Sequence, residues 1–192
     1  MTKGEAKAAA LRWLDEATVG GRAADSDELA DYQNRMDTLI DGALRQLAVR
    51  FPLENVWETK AAEEVTLPED FYALETVLCR GSDEDWRECS EARRVGKKVF
   101  LLPKDAAGTL RFYYQRLPQS VKPDAEDDTM LDVAAGAEDL LALRLAADAT
   151  AGMEEKSAAY ARLDARFQSA ALERMTQDHR RIRIETRYGG LE

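Results

Sequence analysis

The sequence is poor in the residues on which most metal and catalytic sites depend. Among its 192 residues there are two cysteines, Cys79 and Cys89, and one histidine, His179. Two thiols ten positions apart match no zinc-ligand spacing, and a single histidine cannot complete a Cys/His site. We therefore expect the cysteines to be reduced packing residues, and we expect neither a bound metal nor another cofactor.

Long hydrophobic runs are also absent. No stretch approaches the ~20 apolar residues that span a bilayer. The first residues lead into an amphipathic helix that contains acidic side chains, not into the apolar core of a signal peptide. We therefore expect no membrane residence and no export by a signal peptide.

Catalytic motifs are scarce. Gly96-Lys97 is similar to part of a phosphate-binding loop, but the second glycine and the following Ser or Thr are missing. We interpret this segment as a charged hairpin turn. The acidic run 124–128 lacks the glycine and the alternating ligands of a calcium loop, so it is better explained as a solvated loop. His179 lies among arginines and is interpreted as a surface residue, so the sequence predicts no enzyme.

Positive charge is in deficit and unevenly placed. The chain has 27 Lys and Arg against 37 Asp and Glu, a net charge of −10. Residues 124–178 hold 13 acidic and 5 basic residues, whereas residues 179–192 hold 4 basic and 2 acidic ones. Because an acidic surface repels phosphates, we expect no sequence-specific DNA binding. A pore wall that repels DNA would, however, let DNA slide.

Helical periodicity opens and closes the chain. Thr2–Glu5 and Asp25–Glu28 are capping-box patterns, each followed by apolar residues at spacings of three and four. The second helix is predicted to run from 27 to 50. Two Ala-rich helices are predicted at 133–149 and at about 154–177, and the first of these is apolar almost all round, which indicates burial.

The middle of the chain changes to a period of two. The predicted strand segments are 56–59, 64–68, 74–80, 86–89, 98–102 and 109–116. Residues 55–118 are therefore interpreted as a small antiparallel sheet of hairpins. The predicted fold class is mainly α with a β insertion. It is a four-helix up-and-down bundle over residues 1–178, a single domain, with the small sheet between helices 2 and 3.

The C-terminal residues 179–192 are predicted to form an extended basic tail. Arg183 alternates with Ile182 and Ile184, which favours a strand over a helix, and such a strand can pair with the sheet edge of a partner. A disordered, solvated tail is the alternative. An exposed edge of the small sheet is a second candidate surface, unless the chain's own helices cover it. The predicted partner-binding residues are Arg180, Arg181, Ile182, Arg183, Ile184, Arg187 and Tyr188.

Two segments and their order resemble a known family. Thr66–Leu74 (TLPEDFYAL) and Leu110–Pro118 (LRFYYQRLP) lie between two N-terminal helices and an acidic linker that precedes two Ala-rich helices. Over most of residues 27–175 this arrangement resembles the head–tail connector proteins of tailed bacteriophages, also called adaptor or head-completion proteins. Within the second segment, Tyr113 and Tyr114 point to opposite faces of one strand, so one is expected to meet the helices and the other a neighbour.

The resemblance implies a structural virion protein of the neck, assembled in the cytoplasm of the bacterial host. It implies a ring, commonly of twelve copies, that sits under the portal protein, extends the DNA channel and docks the next tail or neck component. We expect residues 179–188 to contact the portal. A non-viral helical scaffold module that binds other proteins is the alternative function, and an enzyme is the weakest.

Overall fold

The computed structural model of the protein describes most of the chain. It covers residues 1–17, 26–81, 85–89, 92–102, 108–153 and 157–188, with side chains except at 15–17, 26–27 and 177–188. Within these ranges there are four α-helices and seven β-strands. They belong to two compact units: Met1–Phe51 with Ser120–Glu192 is the helical unit, and Pro52–Gln119 is the strand unit.

The helical unit contains α1 (Lys3–Ala17), α2 (Ser26–Arg50), α3 (Glu138–Thr150) and α4 (Ser157–Tyr188). The first predicted capping box is confirmed. The backbone N–H of Thr2 donates to Oε2 of Glu5 at 2.7 Å, and the N–H of Glu5 donates to Oγ1 of Thr2 at 3.2 Å. Reciprocal bonds of this kind satisfy backbone donors at the start of a helix. The second predicted capping box begins at Asp25, outside the described residues.

Helix α3 is the centre of the helical unit. It packs against each of α1, α2 and α4. Its buried residues are Leu140, Leu141, Ala142, Leu143, Leu145, Ala146, Ala147, Ala149 and Thr150. Each helix of an up-and-down four-helix bundle keeps an exposed polar stripe. The predicted four-helix bundle with a small insert is therefore wrong, because α3 packs against all three other helices and the described residues also form seven strands in two antiparallel sheets.

The strand unit contains two antiparallel sheets, with strand orders β1-β7-β3-β4 and β2-β6-β5. The strands are β1 (Leu53–Lys60), β2 (Glu64–Thr66), β3 (Phe71–Arg80), β4 (Arg87–Glu88), β5 (Arg93–Val95), β6 (Lys98–Phe100) and β7 (Thr109–Arg116). β1 and β7 pair along their whole length, with Leu53 opposite Arg116. Because the first and last strands are neighbours, the four-stranded sheet is not a succession of hairpins.

The strand unit has a hydrophobic core of its own. Leu110, Phe112 and Tyr114 alternate along β7 on the buried face, as the period of two requires. They share one cluster with Val65 and Val99 of the other sheet. The prediction of a small β insert is therefore wrong: two sheets and an independent core make this part of the chain a substantial unit.

The extended C-terminal tail is contradicted as well. Helix α4 continues to Tyr188, so residues 179–188 are helical. The alternation around Arg183 spans only three residues, which is too few to specify a strand. Extending an existing helix also costs much less free energy than starting a new element.

Candidate partner-binding surfaces

The predicted C-terminal binding residues lie in the last turns of α4. For Arg180, Arg181, Ile182, Arg183, Ile184, Arg187 and Tyr188 the structure describes a helical backbone and no side chains. The buried positions described along α4, from Ala159 to Ala171, come before this segment. In helical form the segment offers a partner a helix and not a strand, and its role in binding stays a prediction.

The two segments that carry the family resemblance meet in the strand unit. The Tyr114 hydroxyl donates to Oδ1 of Asp70 at 3.2 Å and accepts from Nδ2 of Asn55 at 2.9 Å. The rings of Phe71 and Tyr114 stack with centroids 5.8 Å apart, and the N–H of Leu117 donates to the backbone oxygen of Asp70 at 2.7 Å. Burial raises the pKa of Tyr114, and the charge of Asp70 adds to this. The hydroxyl therefore stays protonated and fixes the turn before β3 against β7.

The opposite face of the four-stranded sheet carries an aromatic and arginine cluster. As predicted, Tyr113 and Tyr114 point to opposite faces: Tyr114 is buried and Tyr113 is half-buried. On the outer face the guanidinium groups of Arg80 and Arg111 lie 4.6 and 4.2 Å from the ring centroid of Trp86. Arg111 also donates to Glu58 at 2.7 Å. Aromatic and arginine side chains are the types enriched at protein interfaces.

β5 and β6 form an exposed turn that we call the basic hairpin, residues 93–100. Gly96 and Lys97 are its two turn residues, and a φ of +60° at Gly96 fits the first central position of a type II′ turn. The predicted charged hairpin turn is confirmed. The four basic residues of the hairpin, all exposed, are Arg93, Arg94, Lys97 and Lys98.

Two of these four basic side chains have contacts within the strand unit that reduce the charge available to a partner. Lys98 forms an ion pair with Glu64, and the guanidinium group of Arg94 lies 5.2 Å from the ring centroid of Phe71. Arg93 and Lys97 have no ion pair with a carboxylate in the part of the chain that the structure describes. The hairpin therefore presents a net positive charge to solvent.

The outer face of the three-stranded sheet adds two exposed apolar side chains to the basic hairpin. Val95 is 55% exposed and Phe100 is 38% exposed. Val65 and Val99 occupy the opposite, buried face of the same sheet. Exposed apolar side chains next to charged ones are typical of contact surfaces between proteins.

Residues 121–131, here called the acidic linker, are held by the start of the chain. The N–H of Lys3 donates to the oxygen of Thr129 at 2.9 Å, and the N–H of Gly4 donates to the oxygen of Asp127 at 2.8 Å. The N–H of Leu131 donates to Met1 at 3.0 Å. These bonds fix the course of the linker. Its exposed acidic residues are Asp124, Glu126, Asp127 and Asp128.

Lys3 places a buried positive charge under the acidic linker. Its side chain is 2% exposed and its ammonium lies 3.0 Å from Oδ1 of Asp37. It also donates to the backbone oxygens of Pro123 and Ala125, each at 2.7 Å. Three acceptors match the three N–H donors, so the buried charge is satisfied.

Asp37 is shared between two lysines. Nζ of Lys7 lies 3.0 Å from Oδ1 of Asp37 and 2.6 Å from Oδ1 of Asp127. Burial by itself would raise the pKa of Asp37, but the hydrogen bonds from Lys3 and Lys7 outweigh it and hold the pKa below its ordinary value. Burial lowers the pKa of Lys7, and its bonds to Asp127 and Asp37 reverse this into a net rise. Asp37 and Lys7 are therefore both ionised at neutral pH.

A pocket of about 230 Å³ opens in the helical unit, lined by Gln46, Val49, Arg50, Arg144 and Phe167. The guanidinium groups of Arg50 and Arg144 lie 5.1 and 5.6 Å from the ring centroid of Phe167. Arg144 is held by Asp148 and Asp164. Burial raises the pKa of Asp148, against the opposing effect of Arg144. Two guanidinium groups therefore lie against the aromatic ring that lines the pocket.

The described ranges contain no group of three His, Cys, Asp or Glu side chains arranged to hold a metal ion. None of the helices described there has the length and apolar character needed to cross a bilayer. Cys79 and Cys89 are both buried as thiols, as the packing prediction requires. The side chain of His179 lies outside the described residues.

Sequence reasoning missed the contacts of Lys3 and Lys7. A signal for them was present, because positions 3, 7, 10 and 14 share one face of α1 and the last two, Ala10 and Leu14, are apolar. A lysine on a buried face predicts an acidic partner, but the sequence does not say which of its 37 acids it is.

The sequence was compared with models of known protein families and with curated proteins. A sequence model of the family described as "SU10 adaptor protein" matches residues 1–188. No curated protein matches the chain. The matched range contains the strand unit, the acidic linker and all four helices of the helical unit.

Proposed function

The chain belongs to the SU10 adaptor protein family, a family of phage head–tail adaptors, and from this we propose that it forms a ring under the portal. As a phage adaptor it is a virion component that associates with other head or tail components. A structural role of this kind needs no catalysis. The observation that carries the proposal is the family match over 188 of 192 residues.

In the proposed ring, commonly of twelve copies in such connectors, the chain extends the DNA channel and docks the next tail or neck component. The net charge of −10 supports this role, because acidic walls repel the DNA phosphates and leave DNA free to slide. Assembly takes place in the host cytoplasm. The exposed surfaces of the strand unit support contacts with neighbours.

We propose that residues 179–188 bind the portal as a helix. The segment contains four arginines and one glutamate, and it continues a helix of 32 residues. At ~1.5 Å per residue such a helix is about 48 Å long. The buried positions described along α4 end at Ala171, before this segment.

Removal of residues 179–192 tests the portal contact. We expect the shortened chain to lose binding to purified portal rings in a pulldown, while its thermal unfolding by circular dichroism stays unchanged. A matched variant, R180Q/R181Q/R183Q/R187Q, keeps a good helix former at each position and removes only charge. Undiminished portal binding by the shortened chain would refute this contact. Absence of rings on the portal with the full chain, by electron microscopy, would refute the adaptor proposal itself.

A further inference from the structure

We propose that adjacent copies of this chain dock through the outer face of the three-stranded sheet, which binds the acidic linker of the next copy. The inference rests on the proposed ring and names the contact that builds it. A head-to-tail contact between two different surfaces of one chain closes into a ring when the rotation between copies allows it. Both surfaces must then be exposed, opposite in charge and rigid in the free chain.

The sheet face supplies the positive and apolar half of this contact. Arg93 and Lys97 have no carboxylate ion-pair partner among the described residues, whereas Arg94 lies opposite Val99, on the other face of the sheet, and contacts the ring of Phe71. Val95 and Phe100 are exposed between these charges. The face is therefore suited to an acidic segment that also carries an apolar side chain.

The acidic linker has this composition. Asp124, Glu126 and Asp128 are exposed, and Met130 is 66% exposed at the end of the same segment. Methionine packs adaptably against aromatic rings, so Met130 is a fitting partner for Phe100. Lys7 is bound to Asp127 and leaves the other three carboxylates available to bases of another copy.

The linker is also organised before binding. Backbone bonds to Met1, Lys3 and Gly4 fix it, and the buried ammonium of Lys3 holds two of its carbonyl groups. A Cβ on Gly4 would lie 3.1 Å from Cβ of Asp127, which shows how closely α1 and the linker approach. A segment that is already ordered loses little conformational entropy on docking.

A second copy accounts for these observations better than DNA does. The phosphates of DNA would contact the basic side chains of the hairpin, but such binding would leave Val95, Phe100 and the exposed Met130 without a role. Arg93 and Lys97 lack a carboxylate partner among the described residues, and their charge is opposite to that of the acids that the linker leaves available. Charge complementarity of this kind selects the partner and its register.

Charge exchange tests the contact in the full chain. One variant carries R93E/K97E and the other carries D124K/E126K, so that each alone opposes like charges. We expect each variant to lose copy–copy association, by roughly a hundredfold or more, as measured by sedimentation and by ring counts on portal particles. An equimolar mixture restores opposite charges at every contact and should recover the wild-type assembly.

The controls separate position from net charge. K60E and E54K reverse the charge of single exposed residues of β1 in the same two directions, each by half the change of a double variant, and we expect wild-type association from both. The inference would be overturned if both double variants lost assembly and their equimolar mixture did not restore it. Full assembly by either double variant alone would also overturn it. Weakened DNA retention by R93E/K97E with intact rings would also overturn it in favour of DNA contact. Rings formed by the wild-type chain in these same experiments would leave the adaptor function standing.

Discussion

At the scale of single residues, Lys3 shows how one side chain joins distant parts of the chain. Its ammonium contacts α2 through Asp37 and the acidic linker through Pro123 and Ala125. The last of these partners is 122 positions away in sequence. Removing one member of such a buried group leaves the others unsatisfied, which costs more free energy than the intact group contributes.

Asp37→Asn is expected to destabilise the helical unit at neutral pH by about 1–3 kcal/mol, because Lys3 and Lys7 lose their shared carboxylate. The lowered pKa of Asp37 sets the pH dependence. Its contribution to stability is complete above the ordinary value of 3.8 and disappears as the pH falls through the lower pKa of the folded state. Urea unfolding of both proteins at several pH values should show their difference shrinking in acid.

The control for this measurement is Asp124→Asn, which changes an exposed acid on the linker. Its free energy of unfolding should stay within about 0.5 kcal/mol of the wild-type value at neutral pH. A difference between wild type and Asp37→Asn that stays constant down to acid pH would contradict the assigned role of the carboxylate.

At the scale of elements, α3 and α4 differ in how much of their surface is buried. α3 buries nine of its thirteen residues and packs against each of the other helices. α4 is buried along one face, whereas its residue Leu172 is 65% exposed. Arg174 ties α4 to the turn before α3 by donating to the oxygen of Gly136 at 2.6 Å. One helix therefore supplies the core, and the other supplies both core contacts and a free face.

Leu141→Ala is expected to destabilise the protein by ~2–5 kcal/mol, because Leu141 is fully buried at the centre of the unit and its truncation leaves a cavity. Leu172→Ala is the matched change on an exposed face and should cost no more than about 0.5 kcal/mol. Thermal and urea unfolding measure both. Equal losses for the two variants would mean that α3 is not the central helix.

At the scale of the whole molecule, the chain leaves the helical unit at Phe51 and returns to it at Ser120. Between these points it forms a unit whose first and last strands are hydrogen-bonded neighbours. Leu53 and Arg116, close to the two ends of the strand unit, therefore lie about 5 Å apart across the strand pair. A unit with adjacent ends and its own core interrupts the helical sequence at little cost.

Residues 52–119 are expected to fold by themselves. The isolated fragment should show a β-type circular dichroism spectrum and a cooperative unfolding transition. The remainder, with residues 51 and 120 joined by a short Gly-Ser linker, should keep its helical spectrum. Phe112→Ala in the fragment removes a fully buried ring and should abolish the transition, since small domains have little stability to lose. A fragment without cooperative unfolding would contradict its independence.

The resemblance to phage connectors came from two short segments, and the tertiary structure supplies a physical reason for them. Asp70 and Phe71 of the first segment bind and stack on Tyr114 of the second. Sequence inspection identified both segments but not this contact, because their spacing along the chain does not reveal which strands pair. For the basic hairpin, the sequence predicts a charged turn but not the exposed sheet face next to it.

The sequence by itself determined the features that depend on near neighbours. The capping box at Thr2, the turn at Gly96 and the alternation along β7 follow from residues within one or two turns of each other. Backbone geometry and local hydrogen bonds decide such features, and a periodic pattern records them directly.

Only the tertiary structure decided which faces meet. The central position of α3, the pairing of β1 with β7 and the burial of Lys3 under the linker depend on contacts between residues far apart in sequence. Many pairings satisfy the same local pattern, and the free energy of burying particular surfaces together selects one of them. The helical course of α4 to Tyr188 belongs here too, because a brief local alternation yields to the cooperativity of a helix already formed.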